Sequence, residues 1–211
     1  MFVRMLEGAP AGDWWIVLDF DPNVQAGEDW DTTSELGVIL AASLIDRGLR
    51  ARRSVGLLAS GKPPIWIRPQ PGEHHRWELL RALAVLEPDG PPLSQILQRA
   101  GPTLARQTSL IIITPSTQSE WLNPLEQLCW RGITPTVLLM DASTFGAPQN
   151  ADPLAAALGD MGIPRIVLGP ELLQQPEARP GWRGQWKWRL MPTGKAILDH
   201  LPGDLTWRKL G

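Results

Sequence analysis

The chain has one cysteine, Cys129, and no tyrosine. A single thiol excludes an internal disulfide and a multi-cysteine metal site, and it suits a reducing compartment. Cys129 lies in an apolar helical stretch and reads as a buried packing residue. Long hydrophobic runs are missing as well: the apolar stretches reach ~5–8 residues, where a membrane span needs roughly 20. Residues Met1 to Pro10 lack the basic region, apolar core and cleavage site of a signal peptide. Together these absences read as a soluble, cytoplasmic chain. Neither charge sign dominates, since 20 basic and 22 acidic residues leave a formal −2. Nucleic-acid binding rests on phosphate neutralisation by a basic face, so this balance speaks against it.

Catalytic signatures are also sparse. There is no Gly-rich phosphate loop and no Gly-x-Ser-x-Gly elbow. The histidines are His74, His75 and His200, without metalloprotease spacing. Glu73-His74-His75 reads as an exposed helix start. Ser116 and Ser119 read as turn or cap residues rather than nucleophiles.

The chain does have the material for a core: 43% of its 211 residues are hydrophobic, with 11 tryptophans. Its most informative stretch is Trp14-Trp15-Ile16-Val17-Leu18-Asp19-Phe20-Asp21-Pro22-Asn23. An apolar run that breaks into oxygen-bearing side chains at alternate positions reads as a buried parallel strand. The carboxyl end of such a strand is where open α/β sheets place ligand sites. Asp19, Asp21 and Asn23 offer hard oxygen ligands suited to Mg²⁺ or Ca²⁺. Asp19 has a purely structural reading too, as an acceptor for backbone N–H groups of the following loop.

Beyond this loop the pattern alternates between strand and helix, which predicts an α/β fold with a mostly parallel sheet. Thr32 and Glu35 have capping-box spacing for a helix running to about Arg52. Leu36, Ile39, Leu40, Ser43 and Leu44 are expected on its inward face, with small Ala41 and Ala42 beside it. Arg47, Arg50, Arg52 and Arg53 cluster at its end, where cations favour the helix dipole. Ser54–Ser60 and Ile65–Arg68 are strands separated only by Gly61-Lys62-Pro63-Pro64. No crossover helix fits between them, so the second should run antiparallel. A helix follows at His75–Leu86, with Trp77, Leu80, Leu83 and Ala84 on one side. Next come Leu93–Leu104, interrupted at Gly101-Pro102, a strand at Ser109–Thr114 and a helix at Trp121–Trp130. Thr136–Met140 is a strand ending at Asp141. Asp152-Pro153 opens a short helix, and Arg165–Leu168 is the sixth strand. In the tail, the alternation of Gln185–Leu190 predicts a half-buried strand with Trp186, Trp188 and Leu190 on one face.

This order of elements resembles a von Willebrand factor A-like domain, a doubly wound six-stranded sheet with one antiparallel strand and helices on both faces. Three runs resemble the domain-of-unknown-function family fifty-eight more closely: Leu6 to Trp15, Ala41 to Leu49, and Leu110 to Pro115. The resemblance implies a single domain over residues 10–211. Residues 1–9 would be a leader and 180–211 an extension packing on the domain. It implies the soluble carboxyl-terminal portion of proteins that are otherwise membrane-anchored, and a non-catalytic binding module partnering a MoxR-type AAA ATPase.

Members of the von Willebrand group bind a divalent ion through Asp-x-Ser-x-Ser, a threonine from a second loop, and an aspartate after the fourth strand. Asp19 matches the first position, and Asp21 and Asn23 replace the serines. The second loop, Pro88–Ser94, offers only Ser94. Thr114-Pro115-Ser116 has no aspartate. The resemblance thus implies a degenerate, weak Mg²⁺ site at Asp19, Asp21 and Asn23. The sheet topology and the polar rim around Asp19–Gly27 and Thr114–Ser119 predict a partner-binding surface that includes Gln25, Thr114 and Ser116.

The Asp19-x-Asp21 pattern is also similar to haloacid dehalogenase-like phosphatases. There Asp19 would be the nucleophile, Asp21 the acid/base, Thr114 a phosphate-binding hydroxyl and Asp141 the later acidic motif. Phosphoryl transfer needs a cation for the charge that develops. No lysine occurs between Lys62 and Lys187, and Asp141 has no acidic neighbour.

Overall fold

The computed structural model describes residues 13–106 and 108–173, and the backbone of 187–190 and 196–200. Two compact units divide the chain after Pro170. Residues 1–9 and most of 180–211 lie outside the described residues, as do the side chains of the tail strand.

The first unit is built on a six-stranded sheet. Its central strand is β1 (Trp14–Leu18), every residue of which is buried. A two-residue hairpin, β2 (Gly27–Glu28) and β3 (Asp31–Thr32), leads into helix α1 (Thr33–Arg50). Then follow β4 (Val55–Ala59), β5 (Ile65–Gln70), α2 (Glu73–Ala84) and α3 (Leu93–Ala100). The series closes with β6 (Ser109–Thr114), α4 (Leu122–Trp130), β7 (Thr134–Met140), α5 (Asp152–Asp160) and β8 (Arg165–Leu168). Sheet order is β5-β4-β1-β6-β7-β8. All neighbours are parallel except β4 and β5, the hairpin expected from the short Gly61–Pro64 turn. In the second unit β9 (Lys187–Leu190) pairs antiparallel with β10 (Ala196–His200).

β1 and β6 are buried throughout, with polar residues only at the two ends of β6, because helices cover both faces of a parallel sheet. Trp15, Val17, Leu110, Ile112, Val137 and Leu139 point to one face and pack with α3, α4 and α5. Cys129 joins this layer half-buried. The other face meets α1. There a strip of small residues replaces the leucine face predicted from the sequence: Thr33, Gly37, Ala41, Ile45 and Gly48 are buried with Leu36. Ile39, Leu40 and Leu44 are half-buried, and Ser43 is exposed. The cause is close approach. A methyl group on Gly37 would stand 2.9 Å from Leu18 Cδ1, and one on Gly48 2.8 Å from the Trp14 ring.

Helix α2 also turns differently from the expected face. His75, Leu79 and Leu83 point inward, leaving Ala84 and Trp77 exposed, Trp77 at 52%. The deciding contact is polar. The His75 ring, 3% exposed, reaches the Val55 carbonyl through Nε2 at 2.8 Å and Glu78 Oε2 through Nδ1 at 2.9 Å. His75 is therefore a core residue, not the exposed helix-start residue that its sequence neighbours suggest. The Arg76 guanidinium lies over the Trp77 ring at 5.5 Å, which suits an indole left at the surface.

Candidate functional site

From β1 the chain crosses to β4 on one side of the sheet, and it later returns to β6 on the other. The carboxyl ends of β1 and β6 therefore flank the switch point where open sheets form a crevice. Asp19 and Thr114 occupy those ends. The Asp19 N–H donates to the Ile113 carbonyl at 3.0 Å, continuing the ladder and fixing the carboxylate beside β6.

Asp19 is 1% exposed. Its Oδ2 accepts a 2.7 Å hydrogen bond from Thr114 Oγ1, and its Oδ1 accepts one from the Asp21 N–H at 3.2 Å. Thr114 Oγ1 also accepts from the Ser116 N–H at 2.9 Å, so both strand ends and the β6 loop close on one hydroxyl. Asp21, 3% exposed, holds Asn23 through its backbone N–H at 2.9 Å and its side-chain amide at 2.7 Å, both at Oδ1. Gln25 acts as a brace. Its Nε2 donates to the Asp19 carbonyl at 3.0 Å, and its Oε1 accepts from Thr33 Oγ1 and Ser34 Oγ at 2.8 and 3.1 Å. The loop is thereby tied to the first turn of α1, itself capped by Thr32 Oγ1 accepting from the Glu35 N–H at 3.1 Å.

Electrostatically the site is a buried acid without a buried base. Burial pushes the Asp19 carboxyl from 3.8 up to about 6. The Thr114 and Asp21 N–H hydrogen bonds oppose this rise, and the Asp21 charge adds to it.

Asp19, Asp21, Asn23, Gln25, Thr114 and Ser116 are thus brought together. Thr114 and Ser116, at 0% and 3% exposure, are buried, Thr114 Oγ1 donating to Asp19 and Ser116 Oγ accepting from the Gln118 N–H at 3.4 Å. Asp141 does not join them. It caps the 3₁₀ turn Ala142–Phe145, its Oδ1 accepting from Ser143 N and Oγ at 3.1 and 2.7 Å.

Other participants escaped the sequence reading. Ser60 Oγ, at the end of β4, accepts the Phe20 N–H at 2.8 Å. Gly90, in the Pro88–Ser94 loop, sits so close to Ser60 that a Cβ would fall 1.7 Å from the Ser60 carbonyl. Thr33 and Ser34, at the start of α1, take part through their hydroxyls on Gln25 Oε1. Nothing in sequence spacing connects Ser60 to Phe20, because strand adjacency sets that contact.

The oxygen set suits a hard divalent ion only in part. Asp19 and Thr114 lie side by side, and a cation would relieve the buried carboxylate. Thr114 Oγ1, however, already donates to Asp19 and accepts from Ser116, and Asp21 Oδ1 is taken twice by Asn23. An ion would have to displace these bonds. Among the described residues no group of three His, Cys, Asp or Glu side chains converges on one point.

No protein-family model and no curated protein matches the sequence. Solved structures do resemble the chain. One form of the pilus adhesin SpaC of Lactobacillus rhamnosus GG aligns with a TM-score of 0.53 and 11% identity, over 77% of this chain and 28% of the adhesin. An aerotolerance-related membrane protein of Bacteroides fragilis NCTC 9343 aligns at 0.49 with 16% identity, over 90% and 82%. The SpRpn10 VWA domain aligns at 0.47 with 14% identity, over 79% and 96%. Identities this low speak to the fold alone. The sheet order, the single antiparallel strand and the helices on both faces are those of the doubly wound, mostly parallel α/β architecture expected from the sequence. No helix among the described residues is long and apolar enough to cross a membrane.

Proposed function

We propose that this chain is a non-catalytic protein-interaction module that binds its partner at the carboxyl-end rim of the sheet. The observation that supports this most is how Asp19 is used. Its carboxylate is buried and bonded on both oxygens, a state that shapes a loop rather than presenting the carboxylate to a substrate. The exposed residues Asn23, held by Asp21, and the Glu28–Trp30 hairpin tip form the contact surface, beside a loop braced by Gln25, Thr114 and Ser116. Membership of the domain-of-unknown-function family fifty-eight, and a MoxR-type AAA ATPase as partner, belong to this proposal on the strength of the sequence runs alone. The degenerate metal site belongs to it as well. Asp19, Asp21 and Asn23 would hold Mg²⁺ weakly, and a bound ion would present a positive centre to a partner carboxylate.

The test is co-purification of a MoxR-type AAA ATPase with the full chain, with and without Mg²⁺. We expect capture by wild type and its loss in Glu28→Arg/Asp29→Arg. An ATPase that fails to bind, or that binds the rim variant equally well, removes this reading. The second reading is the phosphatase, favoured by the Thr114 hydroxyl 2.7 Å from Asp19 Oδ2. Phosphate-ester hydrolysis by wild type that disappears in Asp19→Asn would install it instead.

A further inference from the structure

Charge is sorted along the strand axis of the first unit. Glu28, Asp29, Asp89, Glu120, Asp141 and Asp152 lie in the loops and helix starts at the carboxyl ends of the parallel strands. Arg47, Arg50, Arg52, Arg68, Arg99 and Arg106 lie at the opposite end. They come from the last turn of α1, the last turn of α3, the antiparallel strand β5 and the lead-in to β6. The sorting is not complete. Lys62 pairs with Asp89 at 3.6 Å on the acidic end, and Asp13, Asp46, Glu73 and Asp160 stand among the arginines of the basic end, Asp46 taking Arg50 at 2.8 Å.

Each end carries one further feature. On the acidic end Trp30, 63% exposed, stands in the turn between β2 and β3. On the basic end a cavity of about 440 Å³ opens between β5 and the segment after α3. Trp15, Pro69 and Pro102 give it apolar walls, and Asp13, Arg68, Thr103 and Thr108 supply polar groups. An indole buries roughly 150–250 Å² when covered, and such aromatic anchors in pockets dominate protein interfaces. A guanidinium at the cavity wall adds stacking on the indole face. The knob and the hole lie on one molecule, at ends of opposite charge.

We propose that the chain binds a second copy of itself head to tail, the acidic rim docking on the arginine-rich end with Trp30 entering the Trp15–Arg68–Pro102 cavity. The proposal rests on the rim being an interaction surface and names a partner for it. Because the two surfaces lie at opposite ends of the sheet, two copies cannot make both contacts reciprocally. The interface is heterologous and yields an open chain or a ring. Charge complementarity sets the register and speeds encounter, and salt weakens both.

Sedimentation velocity on the full chain tests this. At about 0.05 M salt the weight-average mass should rise with concentration to at least about twice the monomer, and at about 0.5 M it should return to the monomer. Trp30→Ala and Arg68→Glu, both at exposed positions, should each be monomeric. Mixed together they should form a one-to-one dimer, since the first keeps its basic end and the second its rim. A wild type that stays monomeric at low salt overturns the proposal, as does association that survives both variants. Failure of the two variants to combine overturns it too. Monomeric protein that binds phosphatidylserine vesicles through Arg68 assigns the basic end to a lipid surface instead. A monomer whose rim still captures the ATPase removes self-association and leaves the rim reading standing, whereas loss of both removes the rim reading itself.

Discussion

Thr114 Oγ1 and Asp19 Oδ2 stand 2.7 Å apart, a hydrogen bond that ties the carboxyl ends of β6 and β1 across 95 residues of sequence. Replacing Thr114 with valine keeps the shape and removes the donor to a buried carboxylate. It also strips the acceptor from the Ser116 N–H. Leaving such groups unpaired costs about 1–3 kcal/mol each. Thr114→Val should therefore lower the free energy of urea unfolding by at least about 2 kcal/mol and drive the Asp19 carboxyl higher still. Carbon-detected NMR titration would follow the second effect.

Asp19 also makes stability depend on pH, with a sign opposite to that of a salt-bridged acid. Its folded value of about 6 lies above the unfolded 3.8, so the folded chain holds the proton more tightly. The stabilisation is fully present below about pH 4 and is lost as pH rises through about 6. Asp19→Asn, which stays neutral, should remove this dependence. Relative to wild type it should gain stability between pH 4 and 6, by up to about 3 kcal/mol at pH 7. Denaturant midpoints of both proteins across that range would show parallel curves if Asp19 were not the titrating group.

A weak metal site predicts a small response to ions. With a dissociation constant near millimolar, a millimolar concentration adds roughly 0.4 kcal/mol, about 1–2 °C for a chain of this size. Thermal unfolding in millimolar Mg²⁺, Mn²⁺ or Ca²⁺ should move by no more than that, and not at all in Asp19→Ala. A tight site at ~100 times its dissociation constant would instead give roughly 2.7 kcal/mol and about 5–11 °C.

The parts of this structure that were legible in the sequence are those set by local chemistry. The continuous apolar run of β1, the capping pair Thr32–Glu35 and the turn too short for a crossover each fix an element from within a few residues. They fix the fold class and place Asp19, Asp21 and Asn23 at a strand end. What stayed hidden depends on partners far along the chain. His75 is buried because of Val55, twenty residues away, and Ser60 matters because β4 lies beside β1. The face of α1 was obscured for another reason. Leucines signal burial by hydrophobicity, but here the closest packing against the sheet goes to glycine and alanine, whose value is their lack of volume.

That packing yields a prediction opposite to helix propensity. Gly48 lies in the last turns of α1, where alanine would ordinarily stabilise the helix by about 0.8–1.0 kcal/mol. Its added methyl would stand 2.7 Å from Val55 Cγ2 and 2.8 Å from Trp14 Cε3. The Trp14 ring, 3% exposed, is rigid and enclosed, so the contact is relieved only by moving α1 away from β1 and β4. Overpacking of this kind costs about 1–3 kcal/mol, enough to outweigh the propensity gain. Gly48→Ala should therefore unfold at lower urea than wild type with an unchanged slope. A stabilised Gly48→Ala would mean that the helix sits farther from the sheet than these distances require.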